Sequence, residues 1–305
     1  MSIVSKYAPY VLLFLLFSLV AFFSFYQLSE SPRVWYDEGY YLQLAMNQAA
    51  HGQLELQTAP DEFIGAATVS LGFPLVYPVA FAFEQFGVGI LQARAVMAVF
   101  IIALFLSALA LMRVLFGMKT ALLAGLLLAT FPVLYGDGKN MLGEVPGLFY
   151  LFAFLLSIWK IETDNSKGVL PYLFAGFFGG LCIATKPLFL LLLPATLITV
   201  ILYRKRVAFR LGAIAAGLAV FAMLFLFWLF TQFSLADASA TTVAHYVNPY
   251  GISDITNTVF KNVLGLFTDS TPLQFLGFFF VWTLGIFVRV RQNIKISAAE
   301  TTAFA

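Results

Sequence analysis

Asp37 and Glu38, in the stretch RVWYDEGYY, set two carboxylates side by side about ten residues beyond an apolar run. A carboxylate so placed can serve as a general base that takes a hydroxyl proton. The plain alternative is a helix cap beside a solvated acid. Ionisable groups wedged between aromatics at the mouth of a membrane bundle favour function. Arg94 (QARAV), Lys139 (GDGKN) and Lys186 (ATKPL) each fall at a helix end or in a tight loop. Singly, each could be a long side chain reaching for the interface. Together they could hold an anionic group at the bilayer surface, Arg as a two-pronged clamp and Lys as a point charge. Asp137 and Glu144 form a second acidic site, with Glu144 in MLGEVPGLF just before Pro146. A carboxylate at that depth needs a partner, and Lys139 is the expected one. The plain reading of this pair is a structural ion pair. His245, with Tyr246 and Tyr250 in VAHYVNPY, falls in a late loop that could meet an acceptor. A lone His is usually neither ligand nor base, and His51 is the other of the two, so no His-based metal site is expected. The carboxylates could still bind a divalent cation, and no other cofactor is called for.

What must position these groups is set by composition. The 305 residues are 61% hydrophobic and 10% charged, and mean hydropathy is +0.92. A soluble fold of this size could not hide so much apolar surface. Disorder, collagen, coiled coil and a secreted disulfide scaffold are excluded. The chain reads as an all-α integral membrane protein, and most of its 35 Phe suit lipid-facing helices. The one cysteine, Cys182, lies in an apolar run and cannot form an intrachain disulfide. A net charge of +2 says nothing of nucleic acid.

Eight stretches approach the length needed to cross hydrocarbon, near 8–26, 91–112, 119–135, 141–159, 169–185, 187–203, 208–231 and 272–288. The first, flanked by Lys6 and followed by no small-residue cleavage site, reads as an uncleaved signal anchor. With the N-terminus cytoplasmic, 12 of the 17 basic residues fall inside, and Arg33, Arg94, Lys139, Lys186 and Lys261 fall outside. That bias fits the positive-inside rule. Of the 15 acidic residues only Glu162, Asp164 and Glu300 fall inside. The expected organisation is one polytopic membrane domain over 1–295 with a cytoplasmic tail, 296–305. The cell membrane is the expected location, both termini cytoplasmic and the site extracytoplasmic.

Two outer segments are long, 27–90 and 232–271, and loops of that length tend to be functional. Residues 37–51 predict an amphipathic juxtamembrane helix with Tyr41, Leu42, Ala45 and Ala49 on one stripe, Asp37 at its capping end and Gly52 as its stop. The stretch 71–86 (LGFPLVYPVAFAFEQF), interrupted by Pro74 and Pro78, predicts a helix lying in the interface. There is no internal repeat, P-loop, GxGxxG or DxD pair, and no nucleophilic triad can be assembled. Charges cluster at the ends of the apolar stretches, which speaks against an ion-coupled carrier.

The order of these features resembles a family. A signal anchor precedes a Tyr-Asp-Glu motif, then LGFPLVYP, then an Arg entering the second span (LQARAVMAV), then KNMLGEVPGLFYLF and finally GGLCIATKP. Over roughly residues 5–230 the chain resembles the GT-C membrane glycosyltransferases, in the bacterial branch similar to the protein mannosyltransferases and the lipid A aminoarabinose transferases. The resemblance implies a polyprenyl-phosphate sugar as donor and transfer to an acceptor on the outer face, usually with inversion. It implies that the first-loop Asp, Asp37 here, is the base. Two departures stand out. Residues 71–83 lack the commoner adjacent pair of prolines, and the chain stops about 17 residues after its eighth stretch, where the family usually continues. The latter reads as a short variant, a truncated product or a chain lacking part of the acceptor site.

The implied partners are the lipid-linked donor, membrane lipids and an acceptor glycan, lipid or protein, with no nucleic acid. Nucleotide sugars are absent outside the cytoplasm, so the leaving group would already be in the membrane. Arg94, Lys139 and Lys186 would offset charge on the departing phosphate. Two rivals remain open. A transporter of lipid-linked sugar would need an inverted repeat and polar groups at the midplane, and neither is visible. A non-catalytic lipid-linked-sugar binding or scaffold protein would keep the bundle without the chemistry.

Overall fold

In a computed structural model the chain is described over residues 3–163, 168–204, 210–233, 261, 264, 270–292 and 294–305. The second long loop and its His245 and Tyr246 lie outside the described residues. In hydrocarbon a backbone must bond to itself, so apolar runs become helices. The long ones are α1 (Ile3–Phe25), α4 (Ile90–Phe116), α7 (Glu144–Thr163) and α10 (Leu211–Gln232). These four are long and apolar enough to cross a membrane. A fifth crossing arises if α5 (Met118–Ala129) and the segment Pro132–Lys139, bent by 57°, count as one span. That segment opens with a single turn, α6 (Pro132–Tyr135).

All eight predicted stretches fall on helices. Two of the rest are shorter: α8 (Leu170–Thr185), and a 3-10 turn at Pro187–Leu191 running into α9 (Leu192–Tyr203). The last is α11 (Ser270–Arg291). Four to five spans, rather than eight, meet the length and composition of a crossing helix among the described residues.

The bundle is knit by matching faces. Along α4 the buried residues Arg94, Met97, Ile101, Leu104, Phe105 and Ala108 recur at helical spacing and face α1, α5 and α7. Helices α8 and α10 approach backbone to backbone where Gly176 meets Gly217. A Cβ on Gly176 would lie 2.0 Å from the Gly217 carbonyl oxygen, so only glycine permits this crossing.

The first outer loop folds into three pieces. Helix α2 (Tyr36–His51) ends where Gly52 adopts φ 72° and donates to Gln48 O. Its N-cap is Trp35, not Asp37, which lies in the first turn. The buried stripe is Glu38, Tyr41, Leu44 and Ala45, so Leu44 takes the place expected for Leu42. An antiparallel hairpin follows, β1 (Glu55–Ala59) with β2 (Glu62–Gly65), turning at Asp61 with φ 63°. Helix α3 (Phe73–Phe86) was expected to lie in the interface. It buries Phe73, Pro74, Leu75, Val76, Val79, Ala80, Ala82 and Phe83 in the core and leaves Phe81 and Phe86 exposed. Gly72 makes that possible: its N–H donates to Thr185 O at 3.1 Å, and a Cβ there would lie 1.9 Å from Ala184 O.

The bundle therefore has two distinct ends. At one, Gln232 at the close of α10 donates to the Ala66 and Val69 carbonyls of the first loop, beside the start of α3 and the end of α8. At the other, a short helix α12 (Ala298–Phe304) packs on α7 and α9. Ser297 and Glu300 form a capping box, Glu162 accepts from Ala298 N at 2.7 Å, and Arg289 pairs with Glu300. The expected tail is thus a docked helix.

Candidate active site

The site is built around Arg94, at the first end. Arg94 and Glu38 are both fully buried. The guanidinium grips Glu38 with two bonds, Nε to Oε1 at 3.0 Å and Nη2 to Oε2 at 2.9 Å. Nη1 donates to Leu28 O at 3.0 Å and Pro32 O at 2.7 Å, and Nη2 also donates to Asn140 Oδ1 at 3.0 Å. All five N–H groups of the side chain are thereby used. Glu38 Oε1 accepts in addition from Met141 N at 3.3 Å. A buried charge pair survives only when its remaining donors and acceptors are met, and here they are.

Two expectations are corrected by this geometry. Arg94 was expected to hold a lipid phosphate, but it is sealed from solvent and has no donor left to offer. Glu38 was expected beside Asp37 in catalysis, but its carboxylate is spent on Arg94 and Met141 N. The signal was present in the sequence. Arg94 stands three residues before Met97 and seven before Ile101, on the buried stripe of α4, and Glu38 stands in the same relation to Tyr41 and Ala45 on α2.

The network fixes a short stretch of chain. Arg94 holds Pro32 O on one side and Glu38 on the other, so residues 33–37 form a bow tied at both ends. Asp37 projects from that bow, exposed, in the first turn of α2. Beside it Tyr36 and Tyr40 share a hydroxyl–hydroxyl hydrogen bond of 2.7 Å, their rings 5.0 Å apart edge to face. That bond, first among several smaller contributions, raises the Tyr40 phenol above its ordinary value.

Asn140 joins the network to a cleft of about 440 Å³. Trp35, Phe131, Asp137, Asn140, Gly143 and Glu144 are among its walls. The structure thus brings Asp137 and Glu144 onto one cleft, with Trp35 from the bow among its other lining residues. The partner of Glu144 is Lys186, not Lys139 as expected. Lys186 Nζ also donates to Leu142 O at 3.2 Å. The pair is partly exposed, 18% for Lys186 and 48% for Glu144, so it can exchange partners. Lys139 is buried and donates to Tyr26 O at 2.9 Å, tying the end of α1 to the loop before α7. Like Arg94 it serves the scaffold. Of the three cations expected at a phosphate, Lys186 alone pairs with a cleft-lining carboxylate, Glu144. Gly143 closes the turn into α7 with φ 90°, and a Cβ there would press on Leu71 at 2.6 Å.

Among the described residues no three of His, Cys, Asp and Glu converge as a metal-ligand set.

A family described as dolichyl-phosphate-mannose-protein mannosyltransferase matches residues 74–230. No curated protein matches the chain. Among solved structures, ArnT from Cupriavidus metallidurans bound to undecaprenyl phosphate is similar at TM-score 0.58 and 16% identity, over 82% of this chain and 43% of that one. The archaeal oligosaccharyltransferase AglB from Archaeoglobus fulgidus, in complex with an inhibitory peptide and a dolichol-phosphate, is similar at TM-score 0.55 and 16% identity. It covers 89% of this chain and 38% of AglB. The chain thus spans under half the length of these structures, and at such identity the likeness is one of fold.

Proposed function

The chain belongs to the dolichyl-phosphate-mannose-protein mannosyltransferase family, and from that premise we propose that it moves a sugar from a polyprenyl-phosphate carrier to an acceptor hydroxyl at the extracytoplasmic membrane face. Asp37 is the base. It takes the proton as the acceptor oxygen forms its bond to the anomeric carbon. The bond from that carbon to the phosphate oxygen breaks on the opposite side, its electron pair leaving with the lipid phosphate, so configuration inverts. Lys186, passing from Glu144 to the phosphate, offsets the charge that builds there. Such electrostatic help is usually the largest contribution to catalysis, and a positioned base typically adds about 10²–10⁴ in rate.

One observation carries this reading. An exposed carboxylate, Asp37, stands two residues after the cleft residue Trp35 and is held by its neighbour Glu38 to the Arg94–Asn140 network, while Glu144 of the same cleft pairs with Lys186. Both lipid-phosphate complexes among the similar structures support a lipid-linked donor.

Glycans and glycolipids of cells expressing the chain, the Asp37→Asn variant or neither should be compared by mass spectrometry. A sugar mass appears with the wild type alone. The same product from Asp37→Asn would show that Asp37 is not the base. No new product with either chain would favour a binding or scaffold role.

A further inference from the structure

An indole stands in the cleft with nothing on it. Trp35 is 60% exposed, yet it is a wall of the cleft that holds Asp137, Asn140 and Glu144. Among the described residues its ring has no aromatic partner and its Nε1 no hydrogen bond. Neighbouring aromatics are engaged: Tyr36 with Tyr40, and Phe23 with Tyr135. The Trp35 backbone is fixed in an extended conformation, φ −82° and ψ 152°, where α2 begins. Its own carbonyl accepts from Gly39 N at 3.3 Å. It sits in the bow that Arg94 ties at Pro32 and Glu38, two residues before Asp37.

These facts have a common physical reading. An exposed indole leaves a large apolar face in water, and covering it is favourable by about 25 cal/mol per Å². The face carries negative π-density and the ring edge a donor, so it suits a ligand with polarised C–H bonds on one side and hydroxyls around its rim. A pyranose ring is such a ligand. The Asp137 and Glu144 carboxylates among the cleft's other lining residues can accept from sugar hydroxyls, the usual division between an apolar wall and a few placed polar groups. Because the bow is tied at both ends, the platform is ordered before binding, which lowers the entropy lost on binding.

We propose that the Trp35 indole is the platform on which the ring of the transferred sugar lies, so that residues 33–37 present both the sugar platform and the base Asp37 from one rigid segment. This deepens, and rests on, the glycosyl-transfer reading above. The bow sets two distances at once. The sugar ring is fixed against Trp35, and the acceptor oxygen is drawn to Asp37 on the next turn of chain. A membrane-interface anchor is the competing role for an exposed Trp. An anchor, however, is indifferent to whether the lipid phosphate carries a sugar.

The test uses the full chain in nanodiscs of phosphatidylethanolamine and phosphatidylglycerol. The probes are undecaprenyl phosphate and undecaprenyl phosphates bearing glucose, galactose, mannose, N-acetylglucosamine or arabinose. Affinities are measured for the wild type, Trp35→Phe and Trp35→Leu. At least one sugar-bearing probe should bind the wild type about two- to tenfold more tightly than the bare lipid phosphate, the range of an aromatic stacking contact. Trp35→Leu should erase that preference and leave affinity for the bare lipid phosphate unchanged, and Trp35→Phe should keep most of it. The proposal is overturned if Trp35→Leu retains the preference, if it weakens bare and sugar-bearing lipids alike, or if the wild type prefers no sugar-bearing probe. Wild-type chain that binds none of the lipids, bare or loaded, would instead sink the donor assignment beneath it, and the platform with it.

Discussion

At the scale of single residues, two neighbouring carboxylates have opposite fates. Glu38 points inward to Arg94, and Asp37 is exposed two residues after the cleft residue Trp35. The consequence is a difference in what their removal does. Removing one partner of a buried ion pair strands the other, which costs about 3–5 kcal/mol. Arg94→Ala or Glu38→Ala should therefore lower the unfolding midpoint sharply, while Asp37→Asn leaves it unchanged. The double variant Glu38→Leu with Arg94→Met should recover much of the loss, because it removes the stranded charge. Cys182, the single cysteine and fully buried, gives a ready probe: a thiol-reactive dye reports unfolding as the sulfur becomes accessible. Equal midpoints for Arg94→Ala and wild type would contradict the role given to this pair.

At the scale of elements, close approaches at glycine hold the site in place. Gly72 lets α3 start against the end of α8, and Gly176 lets α8 cross α10. Gly72→Ala should lower thermal stability and activity together, since its Cβ meets backbone rather than a flexible side chain. Gly212→Ala, where no atom lies within 4 Å, should do neither. A Gly72→Ala chain as stable as wild type would show that α3 can shift freely. Much at this scale was legible in sequence. The apolar stretches became helices, and Gly52 stopped α2. The hairpin at 55–65 was missed although Pro60-Asp61 is a turn signal, because Leu56 is its one buried strand residue and no alternating run marks it. Which side of α3 meets the bundle was not legible for a physical reason: amphipathicity tells which residues avoid water, not whether lipid or protein covers them. The cations were misassigned likewise. Arg94, Lys139 and Lys186 look alike at helix ends, and only their partners separate two scaffold residues from the one paired with a cleft-lining carboxylate.

At the scale of the molecule, the bundle has one end rich in site residues and another bound together by α12, Arg289, Glu162 and Tyr203. The charge bias of the sequence predicts that the second end is the cytoplasmic one. In a Cys182→Ser background, a membrane-impermeant maleimide added to intact cells should label Tyr36→Cys and spare Thr301→Cys. The reverse pattern would invert the topology and put the cleft on the wrong side for a lipid carrier. The most direct measurement is release of undecaprenyl phosphate from its sugar-loaded form by purified chain in liposomes, with acceptor extract supplied. Wild type should release it, and Asp37→Asn should slow release by about 10²–10⁴ while binding the loaded lipid as tightly as before. Release at the wild-type rate by Asp37→Asn would contradict the account at its centre.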